Sequence, residues 1–417
     1  MKFDKWTVGL AAVGLVSLNS VARAEEKGNV IQTALASTTI SGYVDTSAQW
    51  NFGTGNQHLP DYKFGGPTKA DGFNLNVVQL RIEKPLDEAE WAAGYRVDLW
   101  MGPDANVLGT QSTAETLGSG SDFAVRQAYI ALRVPVLPNG LDFKVGVFDS
   151  IIGYESVESG ANPNYTRSYG HSFEPQTHTG VLVSYRICET ATVSGGIANT
   201  KGPIINSRAF PATDPDDNRA ESSKTYMGSI ALTAPDSMGF LAGSTLYGGI
   251  VTGFDENESR SDYDNNTTSY YTGCTLATPV TGLRFGGAFD YLDVANTSGE
   301  TWSLAAYTSY QATEKLSIHA RGEYLRDRGD QKFFVATDPV SGVLGATNPE
   351  KVLALTGTVQ YDLWKNVISR LELRWDHSLS GEKTWGGETV GDGAGGFVHS
   401  GSLKNEWMLA ANIIYKF

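Results

Sequence analysis

The chain has only 2 cysteines, Cys188 and Cys274, in 417 residues, too few for a disulfide framework or a thiolate metal site. Positive charge is scarce: 32 Lys and Arg stand against 46 Asp and Glu, for a net charge of −14. That balance excludes a partner gripped through its phosphates, so no nucleic acid is expected. Beyond residue 24 no run approaches the ~18 consecutive apolar residues of a membrane helix. Helical periodicity is missing too, since no segment sustains a 3.6-residue repeat for long. There are 6 histidines, and only His178 and His319 fall on strand-like segments with Ser or Thr nearby. Without a G-x-S-x-G run beside them, a hydrolase is not expected. The acidic stretches Asp214, Asp216, Asp217 and Asp255, Glu256, Glu258, Asp262, Asp264 lack calcium-loop spacing, so they read as solvated loops and neither metal nor cofactor is expected.

Glycine and aromatics are present in quantity, at 47 residues and 11% of the chain. At the N-terminus, Lys2 and Lys5 precede the apolar run Val8 to Leu18 and the A-x-A site Ala22-Arg23-Ala24. This is the pattern of a secretory signal peptide over residues 1–24, cleaved after Ala24. Residues 25–36 then form a short periplasmic segment, and residues 37–417 a single further unit.

Within that unit period-2 alternation recurs. Trp91, Ala93, Tyr95, Val97 and Leu99 share one face, against Ala92, Gly94, Arg96, Asp98 and Trp100. Leu371, Leu373 and Trp375 oppose Arg370, Glu372, Arg374 and Asp376. The pattern predicts strands near 37–52, 72–85, 89–101, 122–135, 140–149, 176–188, 190–200, 224–234, 239–252, 269–278, 281–294, 300–312, 315–328, 351–362, 366–378 and 402–417. A soluble sandwich would alternate as well. The connections discriminate: tight turns such as Leu86-Asp87-Glu88 and Ala312-Thr313-Glu314 alternate with long segments at 53–71, 102–121, 150–175, 201–223, 329–350 and 379–401, with 295–299 as a short exception. Short turns on one side and long loops on the other mark an all-β transmembrane antiparallel up-and-down β-barrel of about 16 strands (16–18) with periplasmic turns and extracellular loops. Aromatics toward strand ends, among them Trp50, Trp91, Trp100, Trp302, Tyr310, Tyr324, Tyr361, Trp364, Trp375, Trp407 and Tyr415, suit interfacial girdles. Tyr415 and Phe417 close an alternating last strand, the form of a C-terminal insertion signal.

Several runs carry a family resemblance: Ile40-Ser41-Gly42-Tyr43-Val44-Asp45, Phe73-Asn74-Leu75-Asn76 with Glu83-Lys84-Pro85, Tyr95-Arg96-Val97-Asp98-Leu99, Gln127-Ala128-Tyr129, Ile152-Gly153-Tyr154-Glu155, Tyr165-Thr166-Arg167-Ser168-Tyr169 and Thr177-His178-Thr179-Gly180-Val181. In sequence and order they resemble the OmpL-like outer-membrane β-barrel porin family, most densely over 40–185. The resemblance implies a porin of a Gram-negative type outer membrane, reached after Sec-type export. Ile151 departs from it, since Pro is expected before the Ile-Gly-Tyr-Glu run, and the departure bears on the path of that loop.

A barrel of this size encloses water. The pore-lining candidates are Arg96, Asp98, Lys144, Arg186, Arg284, Asp290, Arg321, Glu323, Arg370 and Arg374; many also suit cross-strand pairing that simply holds the wall. With Asp142, Glu372 and Asp376 the signs balance, so a weakly selective channel for small hydrophilic solutes is expected. Loop 150–175 is the candidate constriction, through Tyr154, Glu155, Glu158, Arg167, Tyr169 and His171. The alternative is a surface-exposed structural or adhesive barrel without solute transport. Expected partners are outer-membrane lipid and lipopolysaccharide, the outer-membrane assembly machinery and the solutes themselves, with a homotrimer by analogy to porins of this size.

Overall fold

The computed structural model describes residues 37–53, 56, 58–110, 121–209, 223–254, 266–295, 298–329, 333–334, 348–391 and 397–417. The expected signal peptide, the 25–36 segment and both acidic stretches lie outside them. One antiparallel barrel is formed by β1 (Thr39–Asn51), β2 (Gly72–Lys84), β3 (Ala92–Met101), β4 (Phe123–Val134), β5 (Leu141–Asp149), β6 (Thr177–Cys188), β7 (Ala191–Ala198), β8 (Thr225–Thr233), β9 (Thr245–Gly253), β10 (Thr267–Ala277), β11 (Leu283–Val294), β12 (Glu300–Gln311), β13 (Leu316–Arg328), β14 (Lys351–Trp364), β15 (Val367–Ser378) and β18 (Asn405–Lys416). A separate hairpin, β16 (Glu388–Gly391) with β17 (Phe397–Ser400), sits in the last long connection. Each barrel strand pairs with its neighbour in sequence, and β1 closes on β18 from Tyr43↔Lys416 to Asn51↔Met408. No barrel strand keeps an open edge. That is what hydrocarbon demands, since it offers no partner to a bare N–H or C=O.

The two faces divide by chemistry. On β15, Leu371 and Leu373 point outward and are exposed, while Arg370, Glu372, Arg374 and Asp376 point inward and are at most 3% exposed. On β18, Trp407, Ile413 and Tyr415 face out, and Glu406, Met408, Ala410, Asn412 and Ile414 face in. The outward set meets lipid, which places the protein in the outer membrane as a β-barrel.

Strict alternation fails at two bulges on the charged wall, apart from register shifts at the turn ends of β6 and β14. In β2, Asp45 pairs with Val77 and Thr46 with Leu75, which skips Asn76. In β4, Asp98 pairs with Gln127 and Leu99 with Val125, which skips Arg126. An extra residue reverses the facing of everything beyond it. Asn76 and Val77, like Arg126 and Gln127, are therefore adjacent and both buried.

Three expectations are corrected. Trp100 faces the interior, 1% exposed and donating to Gln79 at 2.7 Å, and so is not part of a girdle. The ninth strand begins at Thr245 rather than 239, because Asp236–Leu241 forms a 3-10 turn interrupted at Gly239, whose φ of 62° suits glycine. The last long connection holds the β16–β17 hairpin, which short alternation did not reveal. Elsewhere the outer aromatics cluster as expected, with Trp302 and Tyr324 at 5.2 Å and Trp375 and Trp407 at 5.8 Å.

Strands β7 to β10 carry no Asp, Glu, Lys or Arg at all. Charge on the barrel wall is thus confined to the remaining strands. A mid-strand outward cation should be costly: Leu373→Arg is expected to lower unfolding free energy in lipid by about 2–4 kcal/mol, and Leu373→Ala by less. Urea titration of the protein refolded into phospholipid vesicles measures both.

Candidate functional site

The connection between β5 and β6 turns into the barrel. Its base is closed by the Ser150 N–H donating to the Gln176 carbonyl at 2.8 Å. Ile151 and Ile152 anchor it on the neutral wall, packed with Leu182, Met227, Val251 and Tyr271. Ile151, the departure from the family run, is fully buried there and its carbonyl accepts from the Tyr247 hydroxyl. Gly153 follows at φ 118°, a conformation that side chains avoid. Tyr154 then stacks on Tyr307 at 4.1 Å. Gly286 makes room for it, because a Cβ there would lie 2.0 Å from the Tyr154 hydroxyl.

From there the segment crosses to the charged walls. On β2 to β4, Glu158 accepts from Arg81, from Arg96 at 3.3 Å and from Arg126 at 2.9 Å. Those three arginines also share Asp98, at 2.8–2.9 Å. Burial would raise the Glu158 carboxyl, but Arg126, Arg81 and Arg96 outweigh it and hold the group below its usual range. Further round the wall, beyond β1 and β18, Arg370 on β15 donates to the carbonyls of Ser159, Asn162 and Asn164 at 3.2, 3.0 and 2.9 Å. Glu372 accepts the backbone N–H groups of Tyr165 and Thr166 at 2.6 and 2.9 Å. Arg321 reaches the Thr166 carbonyl at 2.7 Å and Glu155 at 2.9 Å, and Arg374 reaches the Arg167 carbonyl at 2.7 Å. Backbone that would otherwise be stranded away from the sheet is satisfied by wall side chains.

A short helix, Tyr169–Phe173, ends the crossing, capped by Ser168, which accepts from the His171 N–H at 3.2 Å. The Tyr169 N–H donates to Glu323 and its hydroxyl to Asp376, at 2.8 and 2.7 Å. Tyr62, Phe334 and Trp385 from three other long connections pack around Tyr169 and Phe173. Burial, and then the nearby cations Arg167, Lys63 and Arg321, push the His171 imidazole well below its ordinary value. Glu174 lies 3.4 Å from the His171 ring, and burial together with neighbouring Asp290 raises its carboxyl well above the ordinary value.

The sequence-derived residues therefore fall into two groups. Tyr154, Glu155, Glu158, Arg167, Tyr169 and His171 lie together inside the barrel, met by Arg96, Asp98, Asp290, Arg321, Glu323, Arg370 and Arg374. Lys144, Arg186 and Arg284 stand apart: Lys144 lies over the Tyr129 ring at 5.0 Å, Arg186 is exposed at the end of β6, and Arg284 starts β11 at the turn side. Arg81 and Arg126 were hidden from strict alternation by the bulges. The adjacent polar pair Arg126-Gln127, and the shift from Asn74 and Asn76 to Gln79 and Arg81, are the signal that reveals them. Lys63, Lys69 and Asp104 belong to other long connections, and no local pattern points them inward. At the C-terminus, Tyr415 pairs with Val44 and Val367, and the Phe417 ring covers Gly42.

Both candidate catalytic histidines do meet serines. His178 lies 3.2 Å from Ser150, and His319 lies 2.8 Å from Ser309. In each ring the other nitrogen has no partner among the described residues, so the orienting carboxylate of a triad is missing there. No group of three or more His, Cys, Asp or Glu suited to a metal occurs among the described residues.

Between the crossing segment and the β1–β2 wall lies a small cleft with room for one or two waters, lined among others by Asp45, Tyr62, Lys63, Phe64 and Arg167.

The family described as beta-barrel porin-2, OmpL-like, matches over residues 37–417. No curated protein matches the sequence. Among solved structures, OprB of Pseudomonas putida is similar with a TM-score of 0.56 at 11% identity, over 91% of this chain and 93% of that one. The anion-selective porin from Comamonas acidovorans gives 0.53 at 13%, over 91% and 99%. OmpT of Vibrio cholerae in its trimer form gives 0.51 at 13%, over 91% and 99%. At these identities the likeness is one of fold.

Arg370→Ala should release the middle of the crossing segment, since a hydrogen bond to a charged group contributes about 1.5–3 kcal/mol. Amide hydrogen exchange over residues 159–166 is expected to accelerate at least about tenfold, and Arg186→Ala to leave it unchanged. Because the Glu158 carboxyl is depressed, its contribution is present above the unfolded value of about 4.3 and lost as pH falls below it. Exchange around residue 158, corrected for intrinsic chemistry, should rise over that acid range.

Proposed function

The chain belongs to the beta-barrel porin-2, OmpL-like family, and from that premise we propose that this outer-membrane porin carries a water-filled, weakly selective path for small hydrophilic solutes, narrowed by the segment 150–175. The single observation behind the narrowing is the seating of that segment inside the closed barrel, held by two stretches of wall: Glu158 with Arg81, Arg96 and Arg126 of β2 to β4, and Arg321, Arg370, Glu372 and Arg374 of β13 and β15. A chain fixed this way obstructs the lumen without itself moving, so passage needs only diffusion around it. Weak selectivity follows from pairing: most interior arginines touch a carboxylate, and a permeating ion meets both signs in turn. Arg96, Asp98, Asp290, Arg321, Glu323, Arg370 and Arg374 set the width by holding the segment. Lys144, Arg186 and Arg284 line the path toward the turn side.

In the same reading Met1–Ala24 is removed on export and residues 25–36 precede the barrel. Tyr415 and Phe417 are read by the assembly machinery. Outer-membrane lipid and lipopolysaccharide surround the outer face, and three copies assemble, as in the trimer form of OmpT of Vibrio cholerae. A structural or adhesive barrel is the competing reading, favoured by the near-complete burial of Tyr165 to His171 and by the aromatic cover of Tyr62, Phe334 and Trp385.

Planar bilayers separate the two. The porin reading expects stepwise conductance, cation and anion permeabilities within about threefold of each other, and a single-channel conductance at least about doubled when residues 156–166 are replaced by a short Gly-Ser linker. Proteoliposomes that admit neither salt nor small sugars would instead establish a closed barrel.

A further inference from the structure

Most charged side chains of the barrel strands face the lumen. Toward the ends that carry the long connections, the outward-facing exceptions among the described strand residues gather on four consecutive strands: Asp293 on β11, Glu300 on β12, Arg326 and Arg328 on β13, and Lys351 on β14. The pairing register sets their height. One outward row runs Tyr270, Tyr291, Trp302, Arg326 and Lys351, strand by strand. The next outward row toward the middle of the barrel is Phe289, Leu304, Tyr324 and Leu353. Trp302 packs on Phe289 and Tyr324 of that row, at 6.1 and 5.2 Å. The cations therefore begin one step beyond the apolar band, at the depth where amphipathic rings mark the headgroups.

One carboxylate answers two of them. Glu300 accepts from the Trp302 indole at 2.8 Å through Oε1, and its Oε2 lies 3.2 Å from Arg326 Nε and 3.0 Å from Arg328 Nε. Each arginine meets it through Nε, so the terminal nitrogens of both have no acceptor among the described residues. Arg326 and Lys351 are direct cross-strand partners, and like charges so placed repel unless an anion lies between them. Guanidinium edges pair bidentately with phosphate oxygens, and a phosphate monoester brings about −1.5 to −2 charge to the site. Below the cations the surface is apolar and open, with Leu304 and Leu355 exposed. Phosphate above acyl chains matches both halves of this surface.

We propose that the outer face of β12 to β14 is a specific seat for a phosphorylated glycolipid of the outer leaflet, its phosphate held by Arg326, Arg328 and Lys351 and its acyl chains lying along Leu304, Tyr324, Leu353 and Leu355. The seat deepens the reading that lipopolysaccharide surrounds the outer face, and rests on it for placing the long connections on the outer side. Asp293, on the far side of β12, and Glu300 bound the seat and disfavour an anion there. A zwitterionic phospholipid fits less well, because its ammonium would lie among three cations.

Native mass spectrometry of the full-length mature protein, released from non-ionic detergent and titrated with lipid, tests the seat apart from conduction. The probes are bisphosphorylated lipid A, its dephosphorylated form and phosphatidylethanolamine. Lipid A should bind, and the other two at least about tenfold more weakly. Arg326→Gln combined with Arg328→Gln should weaken lipid A about tenfold, and Lys351→Gln should weaken it by less. Lys84→Gln, at the turn end of β2 and opposite Tyr95, should leave it unchanged. Arg326→Lys combined with Arg328→Lys keeps the charge without the paired edges, so its affinity should fall between wild type and the double Gln variant. Equal lipid A affinity in wild type and the double Gln variant overturns the seat and leaves the wider lipid reading standing, whereas no lipid A on wild type overturns both. Loss of oligomer mass with lipid A retained overturns the seat in favour of a contact between copies.

Discussion

Backbone hydrogen bonding in a medium that offers no partners is the constraint from which the rest of this structure follows. A strand in hydrocarbon must give every N–H and C=O to another strand, so the sheet closes, β1 on β18, and each residue is left facing either lipid or lumen. The dyad repeat then sorts the side chains. Leu371 and Leu373 can only face outward, and Arg370, Glu372 and Arg374 can only face inward. Polar groups crowded into the lumen in this way need partners of their own, and a chain segment rich in free carbonyls and N–H groups supplies them.

The crossing segment and the wall are therefore mutually required. Without Ser159 to Arg167, the guanidiniums of Arg321, Arg370 and Arg374 would lose their backbone acceptors. Without those guanidiniums, the carbonyls of a segment lying inside the barrel would have none of the sheet's donors. Removing one partner of a buried ion pair typically costs about 3–5 kcal/mol, and here each arginine answers several acceptors at once. The neutral wall of β7 to β10 plays a different part, seating Ile151 and Ile152 mainly by burial, with one hydrogen bond from the Tyr247 hydroxyl to the Ile151 carbonyl. One end of the segment is thus fixed by packing and the other by charge.

Much of this was legible in the residue order. Alternation with short and long connections predicted the sixteen barrel strands and their facing, because lipid on one side and water on the other leave a strong period-2 imprint. The inward turn of residues 150–175 was readable from Tyr154, Glu155, Glu158, Arg167, Tyr169 and His171, an unusual density of hydrogen-bonding side chains for one connection. Arg81 and Arg126 were missed because a bulge reverses parity, and Trp100 was assigned to a girdle because an aromatic near a strand end suits either face. Lys63 and Tyr62 were beyond reach for another reason: their place beside Arg167 arises where separate connections converge, and nothing within the stretch 53–71 encodes a neighbour a hundred residues away.

The bulges at Asn76 and Arg126 also bear on how the barrel is put together. Each ties one strand pair to a single alignment, with the interior cations Arg81, Arg96 and Arg126 gathered on the same arc. Should β3 and β4 come together one position out of step, an arginine of the displaced strand would be thrust among acyl chains at about 2–4 kcal/mol near the midplane. The cluster thereby favours the observed register of that hairpin over one shifted by a single residue.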